Sequence, residues 1–449
     1  MKSRSNRRTS IQKGFRKIYI LIAAGLILAA GAVLLTMYLT GFFYNRRDVQ
    51  VKVSTAGAEI AALSKDTKIV KSDMLSRTLS LLRDQTKTSP FVVSWYVLPG
   101  SISSVTSLES EYITAQDQVN LLRCYVARGN KNSAQALENA IAKYFISDNG
   151  YLVPARKISE ISSFKIPQPV FPAKADHEEL PAMSAYSMEA TIGYLRALLE
   201  YYQKWGQLSD WSRIENLAAI LYSADAAFSE DLTITALATP TPIGLNPDTT
   251  PAADGQISPA DTVTTITLAS LDLEVFRILS STDSKYQPMY DKALAILSGA
   301  MISDGLPLFA VGYTQSSAGY AFYNGDKAQV DLALSLKVAL HLAEAGEVPQ
   351  KTLLWIKEQL YNEGTLYQDY DLLSGQASSN VESVESYGIL LQIARVTNDS
   401  ELYSKALGCL EGHLATNTAS AARSAIFRQL DNARVAVYAK DNLQALLGV

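Results

Sequence analysis

The sequence predicts an all-α protein: an (α/α)6 barrel behind one N-terminal transmembrane helix. Three observations predict it. Apolar residues recur at helical spacing through roughly a dozen segments that follow one another in pairs. No fixed repeat period relates those segments, which favours a closed barrel over a superhelix of helical repeats. Ahead of them, residues 18–44 carry no charge behind a strongly basic tail.

The tail, residues 1–17, holds Lys2, Arg4, Arg7, Arg8, Lys13, Arg16 and Lys17 and no acid. At about 1.5 Å per residue, the uncharged run of 18–44 crosses a hydrocarbon core of about 30 Å with some tilt. Basic flanks stay cytoplasmic. Residues 45–449 are therefore expected outside, on a single-pass cell-membrane protein. A cleaved signal peptide is the alternative, but its apolar stretch is usually about 7–15 residues. Residues 45–56, NRRDVQVKVSTA, are short and polar and read as a stem.

Residues 57–449 form the exterior domain. The chain is 48% apolar and 19% charged, enough for a sizeable core. Removing the seven positive charges of the tail from the formal −4 leaves −11, which argues against nucleic acid as a partner. Cys124 and Cys409 sit in apolar helical surroundings and read as free thiols. His177, His341 and His413 have no metal-ligand spacing, and no phosphate-binding or dinucleotide glycine pattern is present, so neither metal nor cofactor is expected.

Helical periodicity places segments near 57–66, 71–86, 112–128, 132–145, 186–205, 210–229, 266–280, 286–300, 327–346, 350–361, 381–397 and 400–415, with 430–447 closing the chain. Short polar joints such as Arg128-Gly-Asn-Lys-Asn separate partners, as helical hairpins require. Strand signals are confined to Phe91–Val97 and Gly305–Gly312. Residues 235–264, rich in Pro, Thr and Asp, read as a surface loop.

One helix carries the functional argument: Ser187 to Trp205, SMEATIGYLRALLEYYQKW. Leu195, Leu198, Leu199 and Tyr202 make its apolar face, with Arg196, Glu200, Gln203 and Lys204 on the other side. Glu189 lies at the end where a helix favours negative charge. This stretch resembles the signature helix of glycoside hydrolase family 8, with Glu189 at the first Asp of an Asp-[Ala/Gly]-Asp motif, Ala190 at the small residue and Thr191 at the second Asp. The resemblance runs in order through most of 60–415, and it looks closest to the membrane-tethered branch of the family associated with exopolysaccharide.

The resemblance implies an extracytoplasmic glycosidase that hydrolyses O-glycosidic bonds of a polysaccharide, a β-glucan or an exopolysaccharide, with inversion. Inversion needs one carboxyl group as acid and another as base, about 6.5–9.5 Å apart. In the stretch TSLESEYITAQDQVNLLRCYV the family's acid position falls on Gln116, which cannot donate a proton as a carboxylic acid does. Asp117 and Glu111 are the acids beside it. Glu189 corresponds to a groove carboxylate, and Asp272, in LASLDLEVFRIL, to the group that activates water.

Gly305 to Tyr313 with Tyr320 resembles the family's segment at the groove, and residues 381–403 resemble its closing hairpin, which implies that Glu385 and Tyr387 line the cleft. Trp95, Tyr320 and Tyr370 are candidates to stack on sugar. Each carboxylate also has a plain reading as a first-turn acid of a helix, and each ring as core. A catalytically lost, glycan-binding or scaffold protein serving exopolysaccharide secretion is the second expectation, favoured by Gln116. Polysaccharide, membrane and exopolysaccharide synthesis machinery are the partners these readings imply.

Overall fold

A computed structural model describes residues 19, 22–36, 57–82, 89–98, 108–110, 112–158, 161, 187–206, 208–222, 238–240, 264–314, 319–321, 329–430 and 435–449. The chain divides into two compact units. The first comprises Met1–Asp48 with Gly206–Ser212, and the second comprises Val49–Trp205 with Arg213–Val449.

In the first unit, residues 22–36 are helical (α1), and Ile22, Leu26, Ile27, Leu28, Val33, Leu34 and Leu35 are all exposed. Among the described residues no helix is long and apolar enough to cross a membrane. Part of the predicted span, residues 18, 20, 21 and 37–44, lies outside them, as does the stem up to residue 56.

The remaining helices match the predicted segments. They are α2 (Ala58–Leu63), α3 (Lys71–Leu82), α4 (Ala115–Ala127), α5 (Lys131–Tyr144), α6 (Met188–Trp205), α7 (Leu208–Tyr222) and α8 (Leu273–Thr282), followed by α9 (Gln287–Ser298), α10 (Leu332–Ala345), α11 (Gln350–Asn362), α12 (Val384–Thr397), α13 (Ser400–Gly412) and α14 (Ala439–Gly448). Six of them close a ring: α4 packs on α6, α6 on α8, α8 on α10, α10 on α12, α12 on α14, and α14 back on α4. Outside it, α5, α9 and α13 pack on α4, α8 and α12, and α3 on α14. The ring is the inner layer of an (α/α)6 barrel.

Side chains start these helices where the sequence supplies a cap. The Thr114 hydroxyl accepts from the Asp117 N–H at α4, Asp272 from the Glu274 and Val275 N–H at α8, and Asp331 from the Leu334 N–H at α10. The ring is tightest between α12 and α14. A Cβ on Gly388 would lie 2.6 Å from the Ala445 nitrogen, and one on Gly448 would lie 2.6 Å from the Gly388 oxygen. Only glycine lets these backbones touch.

Periodicity ran past several boundaries. Tyr112–Thr114, Thr264–Thr267, Gln329–Asp331 and Val435–Tyr438 are short strands that lead into inner helices. The first three pair with Ala155–Lys157, Gly312–Thr314 and Asp369–Asp371, and Val435–Tyr438 pairs with Trp95–Val97. Strands this short show no alternation to read. In the predicted strand Gly305–Gly312 the regular pairing begins only at Gly312–Thr314. Most of the 235–264 loop lies outside the described residues, but Ala238–Pro240 forms a strand against Thr264–Thr267. Cys124 and Cys409 are free.

One ion pair ties the barrel wall together near α12. His413 Nε2 lies 3.0 Å from Glu382 Oε2, and Nδ1 donates to the Phe427 carbonyl at 3.1 Å. Burial works against a charged imidazole, but Glu382 outweighs it and raises the His413 pKa. Burial also works against the Glu382 carboxylate, yet hydrogen bonds from His413 and Tyr387 lower it to about 2. The histidine's contribution to stability is present below its unfolded value of about 6.5 and is lost as pH rises through its raised folded value. The glutamate's is present above about 4.5 and lost as pH falls towards 2. Thermal melts between pH 5.5 and 9 should therefore show wild type losing its advantage over His413→Gln as pH rises. A constant difference across that range would contradict this linkage.

Candidate active site

The N-terminal ends of the inner helices bring charged side chains together. Asp117 stands in the first turn of α4, Glu189 in that of α6 and Glu385 in that of α12. Asp331 caps α10, and Lys337 projects from its second turn. Lys337 Nζ lies 2.9 Å from Glu189 Oε1 and 3.3 Å from Glu385 Oε1, while Lys440 Nζ lies 3.3 Å from Glu385 Oε2. Burial opposes ionised Glu385, but Lys337 and Lys440 prevail and hold it at about 2.

Asp117 goes the other way. It is buried, and burial pushes its carboxyl up to about 6. The Thr114 hydroxyl, donating to Asp117 Oδ2 at 2.6 Å, and the charge of Lys440 pull it down, while Glu385 adds to the rise. Burial also raises Asp331, with Glu385 acting in the same direction against the Leu334 N–H, Lys337 and Lys440. Across the strand pair Asp331 faces Asp369, itself raised by burial and by Asp331. Like charges directly opposite destabilise a strand pair, so this pairing favours a proton on one of the two.

A second tier lies deeper. Arg196 Nη1 donates to Asp272 Oδ1 and Oδ2 at 3.1 and 3.0 Å and to Glu344 Oε2 at 2.6 Å, while Nη2 donates to Glu344 Oε1 at 2.6 Å. Glu200 accepts from Arg196 Nε at 3.2 Å and from both Arg123 Nε and Nη2. His341 Nε2 donates to the Ala269 carbonyl at 3.0 Å, leaving Nδ1 at 3.9 Å from Asp272 Oδ1 and 3.9 Å from Glu344 Oε2. Burial disfavours the imidazolium, but Asp272 and Glu344 raise its pKa overall. A protonated His341 brings two arginines, three carboxylates and one histidine to zero net charge.

Asp272, His341 and Glu344 are the one set of metal-ligating atoms close enough together among the described residues, all within 4.8 Å of one another. Arg196 already occupies both carboxylates, so a metal cation would have to sit against a guanidinium. Between the tiers is a cavity of about 60 Å³ whose lining includes the amides of Gln116, Asn120, Gln392 and Gln444. A space of that size, lined by amides, has room for a few waters.

The structure thus brings Asp117, Glu189 and Glu385 to one end, joined by Asp331, Lys337 and Asp369, which sequence reasoning missed. Glu189, Gln116 and Asp272 line the same cavity. Asp272 has its oxygens committed to Arg196 and to two backbone N–H groups. Arg196, read from the sequence as outward-facing, is 5% exposed and points inward. Gln116 donates from Nε2 to Asn120 Oδ1 at 3.5 Å, and its Oε1 is buried without a partner. Glu111 lies outside the described residues.

The aromatic candidates divide. Trp95 is half-buried at the rim, in register with Tyr438 ahead of α14. The Tyr320 hydroxyl donates to the Ile296 carbonyl at 2.7 Å, and its ring meets Tyr313 edge-on. Tyr370 and Tyr387 are buried, the first edge-on to Trp355, the second donating to Glu382 at 2.6 Å. Neither of these two presents a free face for a sugar.

No family model matches the chain, and no curated protein matches it. Solved structures do. A novel alpha-amylase from Clostridium perfringens aligns at TM-score 0.61 and 22% identity, over 84% of this chain and 96% of that one. A beta-1,3-1,4-glucanase from Paenibacillus sp. X4 aligns at TM-score 0.56 and 12% identity, over 90% and 97%. A cold-adapted family 8 xylanase aligns at TM-score 0.52 and 11% identity, over 90% and 96%. The chain has the fold of the family 8 glycoside hydrolases.

Proposed function

We propose that this protein is a membrane-tethered, extracytoplasmic glycoside hydrolase that cleaves a neutral glucan with inversion. Asp117 is the acid and Asp331 the base. The observation that carries this reading is the split at the N-terminal end of the barrel. One buried carboxyl, Asp117, is pushed up to about 6, while its neighbour Glu385 is held at about 2. Environments that drive neighbouring carboxyl groups apart mark which of them carries the proton at working pH. Asp331 takes the base role in preference to Asp272, both of whose oxygens are held by Arg196.

The substrate class follows from charge. With Asp117 protonated and one proton held between Asp331 and Asp369, three negative charges still face the two of Lys337 and Lys440, a field that repels polyanions. The solved neighbours that act on glucans have α- and β-linked substrates by their names. Incubating the protein with α-1,4-glucan, β-1,3-1,4-glucan and xylan, and counting new reducing ends, tests the reading. Release from either glucan supports it, and release from none sinks it.

Gln116 favours a second reading, a glycan-binding protein that has lost its acid and serves exopolysaccharide secretion. It would bind these polymers without releasing reducing ends, and Gln116→Glu alone would then gain hydrolysis.

The tether rests on the basic tail, the uncharged run 18–44 and the bare apolar surface of α1. Protease added to intact protoplasts should digest residues 45–449. Full protection of that region would refute the topology.

A further inference from the structure

We propose that Lys337 is a positioning residue for this reaction: its ammonium clamps Glu189 and Glu385 across the barrel, so that Asp117 and Asp331 are the carboxyl groups left to work on substrate. The inference rests on the hydrolase reading of the N-terminal end.

Lys337 lies six residues past the Asp331 cap, about 9 Å along α10. It lines the cavity, with a side chain 15% exposed. Its ammonium reaches Glu189 on α6 and Glu385 on α12, and Lys440 on α14 takes the other oxygen of Glu385. The alternation Glu189–Lys337–Glu385–Lys440 therefore crosses four of the six inner helices. A pair that merely fastened two helices would need only one of these contacts. The Lys337 ammonium neutralises two carboxylates beside Asp117 and Asp331, both raised by burial.

The charged groups facing each member are few. Glu189, Glu385 and Asp331 surround Lys337; Lys337, Lys440 and Arg428 surround Glu385; Glu385 and Lys440 face Asp117. Without Lys337, Glu385 keeps Lys440 and Arg428, and the pair's net field at Asp117 becomes more negative. The proton on Asp117 is then held more tightly.

The test titrates Asp117 directly by carboxyl ¹³C NMR in the full-length chain in detergent micelles, assigned through Asp117→Asn. Lys337→Met should raise the Asp117 midpoint by about one unit, a roughly tenfold change in proton affinity. Lys337→Arg should leave it close to wild type. The descending limb of kcat/KM against pH should move with it. Should Lys337→Met fail to fold, the double variant Glu189→Gln/Lys337→Met carries the same expectation, because Glu385 is still released. If Asp117 is unshifted in Lys337→Met while wild type cleaves glycan, the clamp is overturned and the hydrolase reading stands. If wild type cleaves none, the hydrolase reading is overturned, and the role of Lys337 in a reaction with it, even where Asp117 shifts.

Discussion

Arg196→Met is expected to destabilise the protein by about 3–5 kcal/mol, the usual cost of removing one partner from a buried ion pair. The guanidinium is buried and hydrogen-bonded to three carboxylates from three elements: Asp272 at the start of α8, Glu344 near the end of α10 and Glu200 on its own helix. With methionine in its place, Asp272 and Glu344 face each other with only His341 between them. Urea unfolding at pH 7 measures the loss. Lowering pH should recover part of it, since the stranded carboxylates can then take up protons. Adding Asp272→Asn to Arg196→Met should also recover part. A loss below about 1 kcal/mol, the range of exposed ion pairs, would mean the tier is not an enclosed charge cluster.

Asp117→Asn and Asp331→Asn should each lower kcat by about 10²–10⁴-fold, the typical weight of one proton-transfer group. The two losses should differ in pH behaviour. Wild-type kcat/KM should fall as pH rises through about 6, because Asp117 must hold its proton to serve as acid. Asp117→Asn should leave only a residual rate without that limb, while Asp331→Asn should keep it. Glycan binding should survive in both, since an amide preserves shape. If Asp117→Asn keeps full activity and Glu111→Gln does not, the acid is Glu111.

Much of the barrel was legible in the residues, because the inner and outer helices bury apolar stripes at helical spacing and each paired segment found a helix. The boundaries were less so. Strands of three or four residues, such as Gln329–Asp331, give periodicity nothing to work on, and Asp331 was absorbed into a predicted helix over 327–346. It nonetheless carried the signature of a cap, an Asp directly ahead of the apolar run LALSLKVALHL.

The site carries a sharper signal in the sequence. In three inner helices polar residues recur at spacings of four and three within apolar surroundings: Gln116, Asn120 and Arg123 on α4; Lys337, His341 and Glu344 on α10; and, through a glycine, Glu189, Gly193 and Arg196 on α6. On a surface helix such a stripe faces water. In a ring of six it faces the axis, and the sequence alone does not say which. That ambiguity put Arg196 on the wrong side. Ring-bearing residues carry no comparable signal: Tyr370 and Tyr387 read as cleft residues in the sequence but are buried in the barrel wall.

Direct displacement by carboxyl groups at the N-terminal end of this barrel, as proposed above, would invert the anomeric centre of the glucan. The most direct test is ¹H NMR of the anomeric region during the first minutes of cleavage by wild type, before mutarotation. The first reducing end released should have the opposite anomeric configuration to the bond cleaved, and the signal should be lost with Asp117→Asn and with Asp331→Asn. Release with the original configuration, or inversion that persists in both variants, would contradict it.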